Sequence, residues 1–212
     1  MIVVLLFFKL IKQEFIFNIL FLLFSLFSKE KQQQMLSRFW SRLNLHRAEE
    51  QLVLGSGRTV PFRVSTDRAF GGKSTAVFDE GNRVFRGELK GDLPFAAVRG
   101  TLPTDVQDIG DFSGLSIRVK SVNKRNFAVN LQTPSFFPND LYQGFIVLPR
   151  PNEFFELSIP FSSLLLTGKG RIREVQRSLD TYTVNTLGFS VGGPESTPGP
   201  FELEIDWIKW VK

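Results

Sequence analysis

Residues 60–211 predict an all-β protein, an antiparallel β-sandwich of the jelly-roll type, behind an N-terminal helical leader. Apolar and polar residues alternate with a period of two. Leu115, Ile117 and Val119 alternate with Ser116, Arg118 and Lys120, and Phe127, Val129 and Leu131 with Ala128, Asn130 and Gln132. Turn-forming clusters punctuate the runs: Glu80-Gly81-Asn82, Lys90-Gly91-Asp92, Asn123-Lys124 and Pro198-Gly199-Pro200. No helical repeat of useful length intervenes, so βαβ units cannot form. The sheet faces must then be covered by stacking two antiparallel sheets or by closing a barrel, and a jelly-roll sandwich is the economical solution.

The chain has 212 residues, enough for one sandwich domain with a full core. It divides into a hydrophobic leader or upstream extension at 1–34, an amphipathic helix or targeting segment at 35–54, and the jelly-roll domain at 55–212. In the leader, the apolar runs 2–8 and 15–27 are separated by Lys9, Lys12, Gln13 and Glu14. A bilayer span takes about 20 apolar residues, and a helix through both runs would carry charges costing about 2.5–3.5 kcal/mol each near mid-membrane. A simple transmembrane span is therefore not expected. Run 15–27, with Lys9 and Lys12 upstream, has the layout of a signal-peptide core, although no small-x-small cleavage site follows Ser28. From Met35 the pattern changes. Leu36, Phe39, Trp40 and Leu43 recur at helical spacing beside Arg38, Arg42 and Arg47, with no acid before Glu49. That suits either a mitochondrial import helix with translation starting at Met35, or an amphipathic helix packed on the domain edge.

In the body, the expected strands are 60–65, 74–79, 82–89, 94–102, 115–120, 127–132, 142–148, 153–159, 185–191 and 201–211. Segments 160–166 and 172–177 leave room for short helical turns. In the last strand, Glu202, Glu204 and Asp206 are expected on one face and Phe201, Leu203, Ile205 and Trp207 on the other.

The net charge of +5 is concentrated in the leader. Residues 1–50 carry 7 Lys/Arg against 4 Asp/Glu, leaving 19 against 17 in the rest. The domain is nearly neutral, and Lys124-Arg125 and Arg171, Arg173 and Arg177 read as solvated loop charges, so no nucleic-acid partner is expected. Having no cysteine excludes disulfides, thiolate catalysis and Cys-ligated metal. The single histidine, His46, lies outside the sandwich, so no Ser-His or Cys-His arrangement can form within it. Gly71-Gly72 and Gly192-Gly193 lack the spacing of a phosphate-binding loop. The three carboxylates of the last strand suggest the paired acids of a jelly-roll glycosidase, but the Glu-x-Asp-x-Glu order fails at Ile208. Their other reading is the solvent face of a half-buried strand. No catalytic residue, metal site or cofactor is expected.

The order Asp67-Arg68-Ala69-Phe70-Gly71-Gly72-Lys73-Ser74, followed by segments 84–89, 95–99, 111–115, 157–161 and 201–207, resembles the complex I intermediate-associated protein family, whose domain has a galactose-binding-like jelly-roll fold. The resemblance covers roughly residues 55–211. Phe70 stands where that family usually has Met, and Phe154-Phe155 where a Trp is common. The resemblance implies a non-enzymatic mitochondrial assembly factor, in the matrix or on the inner membrane. Its implied partners are subunits of NADH:ubiquinone oxidoreductase and other assembly factors, with room for peripheral membrane association. The expected contact loop comprises Asp67, Arg68, Gly71, Gly72 and Ser74. Read structurally, Gly71-Gly72 supply positive φ in a tight turn and Asp67 bonds backbone amides within the loop. The alternative is a carbohydrate-binding module of the secretory pathway, with Phe136-Phe137 and Tyr142 stacking on sugar rings or, equally, with Phe136, Phe137 and Pro138 anchoring a loop.

Overall fold

The period-two pattern becomes thirteen strands among the described residues of the computed structural model, which are 49–134, 140–168, 170–179, 183–193 and 196–212. They are β1 (Glu50–Leu54), β2 (Phe62–Thr66), β3 (Thr75–Asp79), β4 (Val84–Leu89), β5 (Phe95–Thr101), β6 (Gly114–Ser121) and β7 (Phe127–Gln132). After these come β8 (Asp140–Ile146), β9 (Phe155–Pro160), β10 (Leu165–Gly168), β11 (Arg171–Ile172), β12 (Thr186–Gly192) and β13 (Gly199–Val211). Single 3-10 turns lie at Asp67–Phe70, Thr104–Val106 and Phe161–Ser163. The expected leader helix and the targeting segment up to residue 48 lie outside the described residues.

All pairings are antiparallel. One sheet runs β3-β4-β13-β6-β9, with β1 also on β13; the other runs β11-β10-β8-β7-β12-β5-β2. Their facing sides form a continuous core. Phe85, Leu115, Ile117, Leu203, Ile208 and Trp210 from the first sheet meet Phe127, Val129, Leu131, Leu187 and Phe189 from the second. Phe201 of β13 joins the layers, with its ring 4.9 Å from that of Phe85 and 6.4 Å from that of Phe127.

Three expectations need correction. Residues 50–54, assigned from sequence to the tail of the amphipathic segment, form strand β1, because an apolar run this short satisfies either periodicity until a partner strand is present. The span 172–177 contains no helical turn, and Arg171–Ile172 instead pairs with β10. Trp207 leaves the core face of the last strand. A bulge between Ile205 and Trp207 inserts Asp206 as an extra residue opposite β6, so the inward set changes from Phe201, Leu203 and Ile205 to Ile208 and Trp210. At the same point the other edge of β13 passes from β4, whose first residue Val84 pairs with Glu204, to β1, whose last residue Leu54 pairs with Ile208. Arg83 fills the gap: its carbonyl accepts from the Ile205 amide and its Nε donates to the Ile205 carbonyl, both at 3.0 Å.

Candidate functional site

The loop between β2 and β3 is built around a buried carboxylate. Asp67 opens a 3-10 turn whose first amide, that of Arg68, donates to Thr66 Oγ1 at 3.3 Å. Asp67 is only 6% exposed. Its Oδ1 accepts from the Ser74 amide at 2.9 Å, and its Oδ2 accepts from the Ser74 hydroxyl at 2.5 Å and the Phe95 amide at 3.3 Å. Ser74 Oγ in turn accepts from the Lys90 amide at 3.0 Å. One carboxylate and one hydroxyl therefore tie the loop to the end of β4 and the start of β5. Burial pushes the Asp67 carboxyl up, but the Ser74 hydroxyl, the Ser74 and Phe95 amides and the Arg68 charge outweigh it, so it lies below the usual carboxylate value.

The two glycines serve different needs. Gly71 ends the turn at φ +84°, the left-handed region, where its amide donates to the Arg68 carbonyl. Gly72 has no positive φ; it must lack a Cβ, which would sit 2.3 Å from Asp67 Oδ1. Of the five residues expected to form a contact loop, Asp67, Gly72 and Ser74 thus shape it and Gly71 turns it. Arg68 is exposed. Phe70, not among the residues expected from sequence, is 84% exposed beside Phe95. An aromatic next to two glycines was a visible signal, because a turn so tight leaves its side chain outside the core.

The carboxylates of β13 are engaged on the outer face of the first sheet. Glu204 pairs with Lys120 at 2.6 Å and Asp206 pairs with Arg118, while both cations lie over the Phe154 ring, 4.8 and 5.0 Å from its centroid. Glu202 stands opposite Arg86 in the register. The bulge that turns Trp207 outward places its ring 4.5 Å from Lys209 Nζ. This is a polar, cation-balanced sheet face rather than two poised acids. Among the described residues no three His, Asp or Glu side chains are grouped to hold a metal ion.

Two further sequence readings change. Arg125 is not a free loop charge: Nε donates to the Pro200 carbonyl and Nη1 to that of Thr197, both at 2.7 Å, and Nη2 to that of Pro198 at 3.1 Å. It clamps the turn before β13. Tyr142 is not an open sugar platform, because its ring packs against the core and its hydroxyl donates to the Ser178 carbonyl at 3.2 Å. Phe136, Phe137 and Pro138 lie outside the described residues.

A profile of the complex I intermediate-associated protein 30 family matches residues 55–205, which takes in β2 through most of β13. The chain belongs to that family. Its sequence is 29% identical over 168 residues to complex I intermediate-associated protein 30, mitochondrial, of Drosophila melanogaster, covering 68% of this chain and 56% of the relative. It is 32% identical over 104 residues to the Mus musculus protein of the same name, covering 48% of this chain and 31% of the relative. The chain thus spans between about a third and just over half of the length of these curated relatives. Solved structures share the family's fold. A family 11 carbohydrate-binding module of a Clostridium thermocellum cellulosomal cellulase aligns at TM-score 0.53 and 16% identity, covering 78% of this chain and 96% of the module. The module from that organism in complex with a β-1,3-1,4-mixed-linked tetrasaccharide aligns at TM-score 0.50 and 15% identity, covering 76% of this chain and 95% of the module. At such identity the likeness concerns architecture, and it agrees with the jelly-roll, galactose-binding-like expectation.

Proposed function

We propose that this domain is a non-enzymatic assembly factor for mitochondrial NADH:ubiquinone oxidoreductase, binding partly built intermediates of the complex through the surface of the sandwich. The observation that carries the reading is the family match, which runs across nearly the whole sandwich rather than over a short motif. The geometry supports it: the Asp67–Ser74 bonding holds the loop rigid and leaves Arg68 and Phe70 facing outward, an arrangement suited to contact. A surface held in place before binding loses less entropy on association. The relatives' names favour a mitochondrial location, in the matrix or at the inner membrane, with complex I subunits and other assembly factors as partners.

Deleting the gene and resolving respiratory complexes on native gels tests the reading. Loss of assembled complex I, restored by the intact chain, is expected; normal amounts of the complex would overturn it. Expressing tagged chains from Met1 and from Met35 tests the location, with mitochondrial signal expected and signal in secretory membranes counting against it.

A further inference from the structure

The outer face of the seven-stranded sheet carries a groove of about 810 Å³ lined by β2, β5, β12, β7 and β8. One cross-strand row runs through it. Arg63 stands opposite Arg99, Arg99 opposite Gly188, Gly188 opposite Asn130, and Asn130 opposite Gln143. At about 4.8 Å per strand the row is about 19 Å long, the reach of about six extended residues.

Its two ends differ. Arg63 and Arg99 are both exposed and directly paired, an arrangement that repels within a sheet. Among the described residues no acidic side chain lines the groove, and the Arg99 guanidinium donates to the Gln132 amide oxygen at 3.4 Å. At the middle, Gly188 is obligatory, since a Cβ there would lie 2.4 Å from the Val98 carbonyl oxygen. The floor is therefore bare backbone at the point an occupant must cross. At the far end the Asn130 amide is held by donating to Ser190 Oγ at 3.0 Å and accepting from Gln143 Nε2 at 2.6 Å.

We propose that this groove is a docking site for an acidic, extended segment of a partner polypeptide. A carboxylate between the two guanidiniums would relieve their repulsion and form charge-assisted, bidentate bonds. The partner's main chain would pass over Gly188, and the fixed amides of Asn130 and Gln143 would bond it. Charge favours a peptide over the other occupants such a face could take. A saccharide needs exposed rings to stack on, and among the described lining residues the one aromatic is Phe62, whose side chain is buried. A nucleic acid needs a longer basic track than two arginines.

The inference rests on the reading of the domain as a contact module. Its test uses the full chain and a fluorescein-labelled peptide of alternating Glu and Ser, about twelve residues long so that it overreaches the row, followed by fluorescence anisotropy. Binding that weakens with salt is expected, and Arg63→Ala or Arg99→Ala should each reduce affinity about tenfold. Arg171→Ala, on β11 outside the groove, should change it less than about twofold. Because the arginines repel, the thermal midpoints of R63A and R99A should be unchanged or raised, which separates lost contact from lost fold. Absence of peptide binding, equal binding of a Lys/Ser peptide, equal loss in R171A, or binding of the mixed-linked tetrasaccharide that the same two variants abolish would each overturn the proposal. If the peptide fails while gene deletion still removes complex I, the groove assignment falls and the contact reading stands.

Discussion

Trp210 donates its indole N–H to the main-chain carbonyl of Val106 at 2.8 Å, from a position with no solvent exposure. The bond pins the 3-10 turn at Thr104–Val106 to the closing strand, and the Phe161 ring packs edge-on against the same indole, 5.9 Å between centroids. Three residues earlier, Trp207 lies on the opposite face of the same strand.

This contrast yields the first prediction. Trp210→Phe leaves the Val106 carbonyl buried without its donor and opens a void, and should cost about 2–3 kcal/mol. Trp207→Phe should cost under about 1 kcal/mol, since only a surface contact with Lys209 is altered. Urea unfolding of the two variants measures the difference, and equal costs would refute the bulge at Asp206.

Asp67 should make stability pH-dependent. Its folded carboxyl lies below the ordinary value of 3.8, so the unfolded state binds more protons as the medium is acidified. The stabilisation is complete above 3.8 and is lost as pH falls through the folded value. Asp67→Asn, which removes the charge that Ser74 and Phe95 bond, should cost about 2–3 kcal/mol at neutral pH. The deficit should shrink at pH 3, as chemical denaturation at the two pH values would register. A deficit that stays constant would show that shape, not ionisation, matters at this position.

The adjacent glycines should respond differently. Gly71→Ala meets no atom within 4 Å but must hold φ +84°, a cost of about 1–2 kcal/mol. Gly72→Ala forces its methyl into the Asp67 carboxylate and should cost about 2–3 kcal/mol. Combining each with Asp67→Gly, which removes the carboxylate and also the Asp67 Cβ that would lie 2.6 Å from the new methyl, distinguishes the causes: thermal melts should show the Gly72 penalty largely relieved and the Gly71 penalty retained.

For the loop surface, Arg68→Ala and Phe70→Ser should leave stability within about 0.5 kcal/mol, because both side chains are exposed. In cells lacking the gene, each variant should restore less complex I on native gels than the intact chain does. Full restoration by the double variant would remove this loop from the contact surface.

Much of the architecture is legible in the sequence. In Leu115–Lys120 and Phe127–Gln132, the period-two alternation assigns the buried face correctly, since successive side chains on a strand point to opposite sides whatever lies next to it. Strand β1 was not legible, because three apolar residues at 52–54 carry no distinguishing period. Within the loop, the composition of Asp67–Ser74 signalled a tight turn. It could not distinguish a glycine needed for its φ from one needed for its missing side chain, because the Gly72 constraint comes from where the Asp67 carboxylate folds back.

The amino-acid order alone determined the fold class, the inward residues of most strands and the absence of cysteine and of any histidine beyond His46, because these depend on composition and on geometry within one strand. Tertiary structure alone decided which strands are neighbours. The Arg63–Arg99–Gly188–Asn130 row draws on four segments far apart in the chain, and the reversal at Asp206 exists only because β6 and β13 differ by one residue in register. Pairing across a sheet is set by hydrogen bonds between distant segments, and no local pattern encodes it.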